Sequence, residues 1–135
     1  FVEVLTASGE KTGLAFHGVP GGHEFTSFIL GLYNAAGPGQ PLDPAIRERI
    51  LAIDHKVHMQ ILVSLSCTMC PDLVVAAQRI ASLNLLVTAE VYDIAHFPDL
   101  KEKYNVMSVP CLVVNSGEQV SFGKKSIRQL LELLT

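Results

Sequence analysis

Short stretches in which apolar and polar residues alternate open the chain, and a helical rhythm of apolar positions follows them. Residues 1–7 and 12–19 alternate with the period of a strand. They are joined at Ser8-Gly9-Glu10-Lys11, which predicts a hairpin turn. Gly18-Val19-Pro20-Gly21-Gly22 breaks the pattern, and Phe25, Phe28, Ile29, Leu32 and Tyr33 then recur at helical spacing. Such a stripe is expected to face the core. Gly37-Pro38-Gly39-Gln40-Pro41 ends this helix and is the best linker candidate.

Asp43 reads as an N-cap with Pro44 at the first helical position, and Ile46, Ile50 and Ile53 form the apolar stripe that follows. Residues 57–65 are a strand with a nearly continuous apolar stretch, as expected where helices cover both faces. Leu73, Val74, Ala77, Ile80 and Ala81 mark the next helix, residues 85–92 a strand, and 98–104 a short helix. Residues 112–114 and 119–122 make a hairpin across Asn115-Ser116-Gly117-Glu118. Ser126 caps a last helix carrying Ile127, Leu130, Leu131 and Leu134. From residue 44 the order α-β-α-β-α-β-β-α predicts an α/β class that resembles the thioredoxin-like fold, a central mixed sheet flanked by helices.

The two ends of the chain also resemble each other. Val-Leu-Thr-Ala-Ser-Gly-Glu from Val4 and Leu-Val-Val-Asn-Ser-Gly-Glu from Leu112 share Ser-Gly-Glu at the hairpin, and both continue through glycine into an amphipathic helix. Residues 1–40 therefore read as the ββα half of a thioredoxin-like unit, and residues 41–135 as a thioredoxin-like redox domain. The plainer alternative is that any two ββα stretches look alike.

Composition narrows the function classes. Of 135 residues, 49% are apolar and 17% charged, enough for one core with no sign of disorder. A formal charge of −3 without a Lys/Arg cluster gives no footprint for nucleic acid or a lipid surface. The apolar runs are too short to span a bilayer. Phe1 is preceded by neither an initiator Met nor a basic-then-apolar leader, so no export signal is expected and the chain reads as a piece of a longer polypeptide. Three cysteines, an odd number, do not make a disulfide-stapled secreted scaffold, so a cytoplasmic location is expected.

Cys67-Thr68-Met69-Cys70 between an apolar strand and an amphipathic helix reads as a redox dithiol. Cys67 is expected at the helix start, where unpaired N–H groups favour a thiolate able to attack a disulfide. Cys70, one turn further in, would resolve the mixed disulfide. The alternative is half of a zinc or iron–sulfur site using Cys67, Cys70 and Cys111, for which the chain supplies only scattered histidines as further ligands. Thr68 and Met69 bring no positive charge, which predicts a reductant-type couple. Val109-Pro110 opens a strand at the slot that holds a cis-proline in thioredoxin folds, where it would shape a groove beside the cysteines. Cys111 is expected to be a small buried strand residue, with a thiol close to the pair as the alternative.

A proton acceptor for Cys70 is also needed. Thioredoxins place an acid on the strand before the motif, at a position occupied here by Ile61. Asp54 and Asp72 are nearby acids with no evident aim at the sulfurs, and Glu24 in Gly21-Gly22-His23-Glu24 could equally cap its own helix. His17, His23, His55, His58 and His96 lack metal-ligand spacing and read as solvated or structural. Without a Gly-X-Gly-X-X-Gly motif, flavin or nicotinamide is not expected to bind within this chain.

Three stretches carry a family resemblance: Gly18-Val19-Pro20-Gly21-Gly22-His23-Glu24-Phe25-Thr26-Ser27, Ser64-Leu65-Ser66-Cys67-Thr68-Met69-Cys70-Pro71-Asp72 and Val106-Met107-Ser108-Val109-Pro110. With them the chain resembles the N-terminal domain of the alkyl hydroperoxide reductase flavoprotein subunit, which holds two tandem thioredoxin-like units and one functional Cys-X-X-Cys. The resemblance implies that Cys67 and Cys70 take electrons from a flavoprotein disulfide reductase module carrying FAD and using NAD(P)H. It implies delivery to a peroxiredoxin-type disulfide, and that Glu24 reaches the cysteines from the other unit. The chain departs from the pattern in lacking half of the first unit and the flavin module, and at Thr68-Met69 and Cys111. The catalytic candidates are thus Cys67, Cys70, Pro110 and Glu24, with no cofactor or metal expected in this chain. The rival readings are a freestanding glutaredoxin-like protein disulfide oxidoreductase of broad specificity and a cysteine-based metal or cluster module.

Overall fold

Local signals set most element boundaries in the computed structural model, which describes residues 1–18, 21–36 and 39–134. The Asp43 carboxylate accepts the Ala45 N–H at 2.9 Å and starts a helix with Pro44 in its first turn. Ser126 and Gln129 exchange side-chain bonds with each other's backbone N–H, at 3.2 and 2.9 Å, and start the last helix as a reciprocal cap. The strands are β1 (Val2–Leu5), β2 (Lys11–His17), β3 (Val57–Val63), β4 (Val87–Asp93), β5 (Cys111–Val114) and β6 (Gln119–Phe122). The helices are α1 (Phe25–Ala36), α2 (Pro44–Leu51), α3 (Cys70–Leu83), α4 (Pro98–Lys103) and α5 (Ile127–Leu134). The breaks expected at 18–22 and 37–41 include Val19, Pro20, Gly37 and Pro38, which lie outside the described residues, as does Thr135.

One mixed sheet of six strands runs in the order β1-β2-β4-β3-β5-β6. β2, β4 and β3 are parallel neighbours, and the hairpins β1–β2 and β5–β6 are antiparallel. Both halves read from the sequence therefore share a single sheet, joined where β2 pairs with β4. On one face α3 packs over β2, β3 and β4, flanked by α1 and α5, with α2 against α3 and α5. Leu14, Ile50, Met59, Ile61, Leu73, Ile80, Leu130 and Leu131 are fully buried there. Each such side chain contributes roughly 1.5–3 kcal/mol. No helix among the described residues is long and apolar enough to cross a membrane.

The second face is only partly covered, unlike the expectation from the apolar run in β3. Leu100 and Tyr104 of α4 and its following loop close over Leu62, Cys111 and Val113. Further along β3, His58 and Gln60 are only half-buried, Gln60 accepting a bond from the Tyr104 hydroxyl at 3.3 Å. His58 and His17 instead both bind the Glu90 carboxylate of β4, at 3.1 and 2.8 Å.

α1 turns the opposite way from its apolar stripe. Phe25, Ile29, Leu32 and Tyr33 are exposed by 56, 46, 38 and 46%, and Ser27, Gly31 and Asn34 are buried instead. Only Phe28 of the stripe is half-buried, meeting Phe16 edge-on at 5.7 Å. The reason is steric. α3 presents the buried Gln78 amide to α1, and a Cβ added to Gly31 would already lie 3.0 Å from its Oε1. The small face of α1 fits there and a row of bulky residues does not. Asn34 then ties the helix end to Gln40, donating to its Oε1 at 2.8 Å and accepting its N–H at 2.7 Å.

Candidate active site

The parallel strands β2, β3 and β4 deliver their C-terminal ends to the same edge of the sheet, where α/β proteins commonly place ligands. The turns that follow β2 and β3 meet there. His23 N–H donates to the Leu65 carbonyl at 2.9 Å, docking the turn that carries Glu24 on the loop that carries Cys67. Gly22 makes this approach possible: its φ is +55°, and a Cβ would lie 2.6 Å from the Leu65 oxygen.

The structure corrects the placement of Cys67. α3 begins at Cys70, so Cys67 lies in the loop before the helix rather than at its start. The Cys67 N–H bonds to the Ser64 carbonyl at 3.0 Å, and the Ser64 and Ser66 hydroxyls stand 3.0 Å apart, so a turn holds this segment outside the helix. Pro71 sits in the first helical turn, where its missing N–H costs little. Cys67 is half-buried and Cys70 fully buried, and all three cysteines are free thiols.

Val109-Pro110 is a cis peptide, as its sequence position suggested. The Cys67 thiol faces the Val109 carbonyl oxygen at 3.9 Å, and Pro110 is buried beside it. Cys70 titrates well above an ordinary thiol. Burial is the main cause, followed by a hydrogen bond with the Cys67 side chain, with a backbone bond from Ser64 opposing and the Glu24 charge adding to the rise. A thiol so placed cannot lose its proton without a base at hand.

Glu24 is fully buried, not a solvated capping residue. Burial pushes its carboxyl up to about 6, and the neighbouring Ser27 moderates the rise. Among the described residues neither carboxyl oxygen has a hydrogen-bond partner, and Ser27 Oγ and the Gln78 amide are buried and equally unpartnered. Sequence reasoning missed Ser27 and Gln78. The available signal was the polar and small stripe Ser27, Gly31 and Asn34 on the opposite side of α1 from its apolar residues.

The other acids stand apart. Ile61 is fully buried in the core, Asp54 is exposed beside His55, and Asp72 pairs with Lys124 at 3.0 Å on the surface. Cys111 is buried on β5 with Leu62, Val106 and Val113, and burial pushes its thiol up to about 11. Cys70 belongs to the other core cluster. Among the described residues, no three His, Cys, Asp or Glu side chains converge to hold a metal ion.

The family described as "Thioredoxin domain" matches residues 57–135. Among solved structures, the alkylhydroperoxide reductase component AhpF of Enterococcus faecalis, a C503A mutant, is similar with a TM-score of 0.92 and 46% identity, over 97% of this chain and 62% of that one. A protein disulfide oxidoreductase from Aeropyrum pernix has a TM-score of 0.79 and 25% identity, over 88% of this chain and 53% of that one. A protein named NADH dehydrogenase from Ferdinandcohnia aciditolerans is 35% identical over 93% of this chain. The chain spans 24% of the length of that relative.

Proposed function

Since the chain belongs to the thioredoxin-domain family, we propose that it is a thiol–disulfide oxidoreductase domain relaying electrons within a hydroperoxide-reducing system. The observation that carries this reading is the pairing of a half-buried Cys67 with a fully buried Cys70 beside a fully buried Glu24. One sulfur is open to a partner, one is reserved for resolution, and one carboxyl group is kept from water.

The Cys67 thiolate attacks a partner disulfide, and the departing sulfur leaves as a thiolate. Cys70 then gives its proton to the Glu24 carboxylate and attacks Cys67 Sγ. The Cys67–Cys70 disulfide forms, the partner's second thiolate is released, and two electrons have passed to the partner. With its carboxyl at about 6, Glu24 is roughly 90% ionised at pH 7 and can accept that proton. Re-reduction of the disulfide reverses the transfer, with Glu24 returning the proton to Cys70. Pro110 shapes the groove where the partner's backbone lies against Cys67.

The electron donor in this reading is a flavoprotein disulfide reductase module with FAD and NAD(P)H, and the acceptor is a peroxiredoxin-type disulfide. Similarity to the alkylhydroperoxide reductase component AhpF, and to a relative whose name specifies NADH, supports it. Residues 1–40 are the ββα half of a second thioredoxin-like unit, and residues 41–135 the redox domain. The exposed α1 stripe and β1 at the end of the sheet are the surfaces on which the other half of such a unit would pack. The location is cytoplasmic.

A Cys70→Ser trap tests the function. Without its resolving thiol, Cys67 should retain the partner as a mixed disulfide, and a peroxiredoxin should dominate the captured species. Capture of many unrelated proteins, with rapid insulin-disulfide reduction by the parent, would favour a general oxidoreductase. No adduct on Cys67 would end the redox reading.

A further inference from the structure

A polar seam runs between α1 and α3, and the exchange steps above do not account for it. Both Glu24 carboxyl oxygens, Ser27 Oγ and both polar atoms of the Gln78 side chain are buried without a hydrogen-bond partner among the described residues. Ser27 and Gln78 are 0 and 1% exposed. Buried amides and hydroxyls are nearly always paired, and where no protein group does it, internal water does.

These groups line up. Glu24, Ser27 and Gly31 fall on one side of the turn and helix that contain them, as Cys70, Val74 and Gln78 do on α3. Both helices start at the site, because the His23 N–H bond to the Leu65 carbonyl fastens the turn before α1 to the loop before α3. One to two turns further on they still face each other, because a Cβ on Gly31 would meet Gln78 Oε1 at 3.0 Å and Nε2 at 3.2 Å. Ser27 therefore lies between the Glu24 carboxyl and the Gln78 amide.

We propose that Ser27 and Gln78 are positioning residues for Glu24, holding internal water against its carboxyl group and so setting the proton affinity with which it serves Cys70. The proposal rests on the reading of Glu24 as proton acceptor. The Gln78 Nε2–H and the Ser27 hydroxyl donate to the water, and the water donates to a Glu24 oxygen. A hydrogen bond donated to the carboxylate favours its charged form, and the Ser27 hydroxyl is near enough to Glu24 to oppose the rise caused by burial, although the two do not meet in hydrogen-bonding geometry. The ionisable group facing Glu24 from α3 is Cys70, with Cys67 beyond it. The loop before α3 presents the uncharged Leu65 carbonyl to this turn, and α1 the uncharged Ser27.

The test compares the parent with Gln78→Leu and Ser27→Ala in the dithiol form. The Glu24 side-chain carbon is followed by NMR through a pH titration, and single-turnover exchange with glutathione disulfide is followed over the same range. Loss of the water's partners should raise the carboxyl midpoint by about one pH unit in Gln78→Leu. The rising limb of the exchange profile should move by the same amount, and Ser27→Ala should act in the same direction. Ser27→Thr should restore both readings. Should Gln78→Leu fail to fold, Ser27→Ala carries the test alone. Midpoints unchanged in both variants would overturn the proposal. If the midpoint moves but Glu24→Gln leaves the exchange profile of the parent intact, the acceptor reading fails, and with it the service to Cys70, while the seam's hold on the carboxyl stands.

Discussion

Replacing Glu24 by Gln should make the dithiol protein more stable at neutral pH while slowing it. Burial raises the Glu24 carboxyl from 4.5 to about 6, so the folded chain binds that proton more tightly than the unfolded one. The associated stability is fully present below pH 4.5 and is lost as the pH rises through about 6. The gap corresponds to about 2 kcal/mol at pH 7 and about 0.8 kcal/mol at pH 5. Glutamine has no charge to desolvate, and the cost of burying its amide does not vary with pH. Urea unfolding of parent and variant at pH 4, 5, 7 and 8 should therefore show the variant gaining about 2 kcal/mol on the parent between pH 4 and 7. For a chain of 135 residues this is about 6 °C in midpoint. The second exchange step should slow by at least about a hundredfold, the usual worth of a positioned base. A stability difference that stays constant across the pH range would refute the burial argument, whatever happened to the rate.

Four further outcomes follow from the geometry. Gly22→Ala should cost about 1–3 kcal/mol by urea unfolding, since it combines a positive φ with contact on the Leu65 oxygen, and should slow exchange by moving Glu24; a neutral result would mean the turn is not docked as described. Ile29→Gln and Leu32→Gln should each change the stability of this chain by less than about 0.5 kcal/mol, because both side chains are exposed; losses above about 2 kcal/mol would show that the stripe is packed. Timed alkylation of the native dithiol should label Cys67 first, and Cys70 and Cys111 only on unfolding, since both are fully buried with raised thiol pKa; early modification of Cys111 would contradict its burial. Equilibration with glutathione should place the Cys67–Cys70 couple nearer roughly −270 mV than about −180 mV, because Thr68 and Met69 add no charge.

Elements governed by local chemistry were legible in the sequence. Asp43-Pro44, the Ser126 cap, and the alternation in β1 and β2 carry their signals within a few residues, and each element formed close to where it was expected as far as the described residues run. The dithiol and Val109-Pro110 were legible because spacing and context together fixed them. What escaped depends on partners distant in sequence. Periodicity reports that α1 has two unlike faces, but which face meets α3 was decided by the Gln78 amide and the room left at Gly31. The register of Cys67 against the helix was decided by a turn at Ser64, whose bonds no propensity encodes. The burial of Glu24 followed from contact between two loops far apart in the chain, for which Gly22 was the one local sign.

On the proposed mechanism residues 1–40 contribute to the chemistry as well as to the sheet. Ile61 lies in the middle of β3, fully buried between Val91 and Leu112 of the neighbouring strands. A carboxylate there would be desolvated by apolar side chains above and beside it. Glu24 arrives from a different direction, on a turn fastened to the loop that carries Cys67, with a hydroxyl and an amide behind it rather than a wall of hydrocarbon. Carrying the acid on the turn before α1 leaves the sheet centre apolar and supplies a carboxyl group that β3 and α3 do not. On the proposed mechanism a boundary near residue 40 would not divide the active site, because the sulfurs lie after it and the proposed proton acceptor before it.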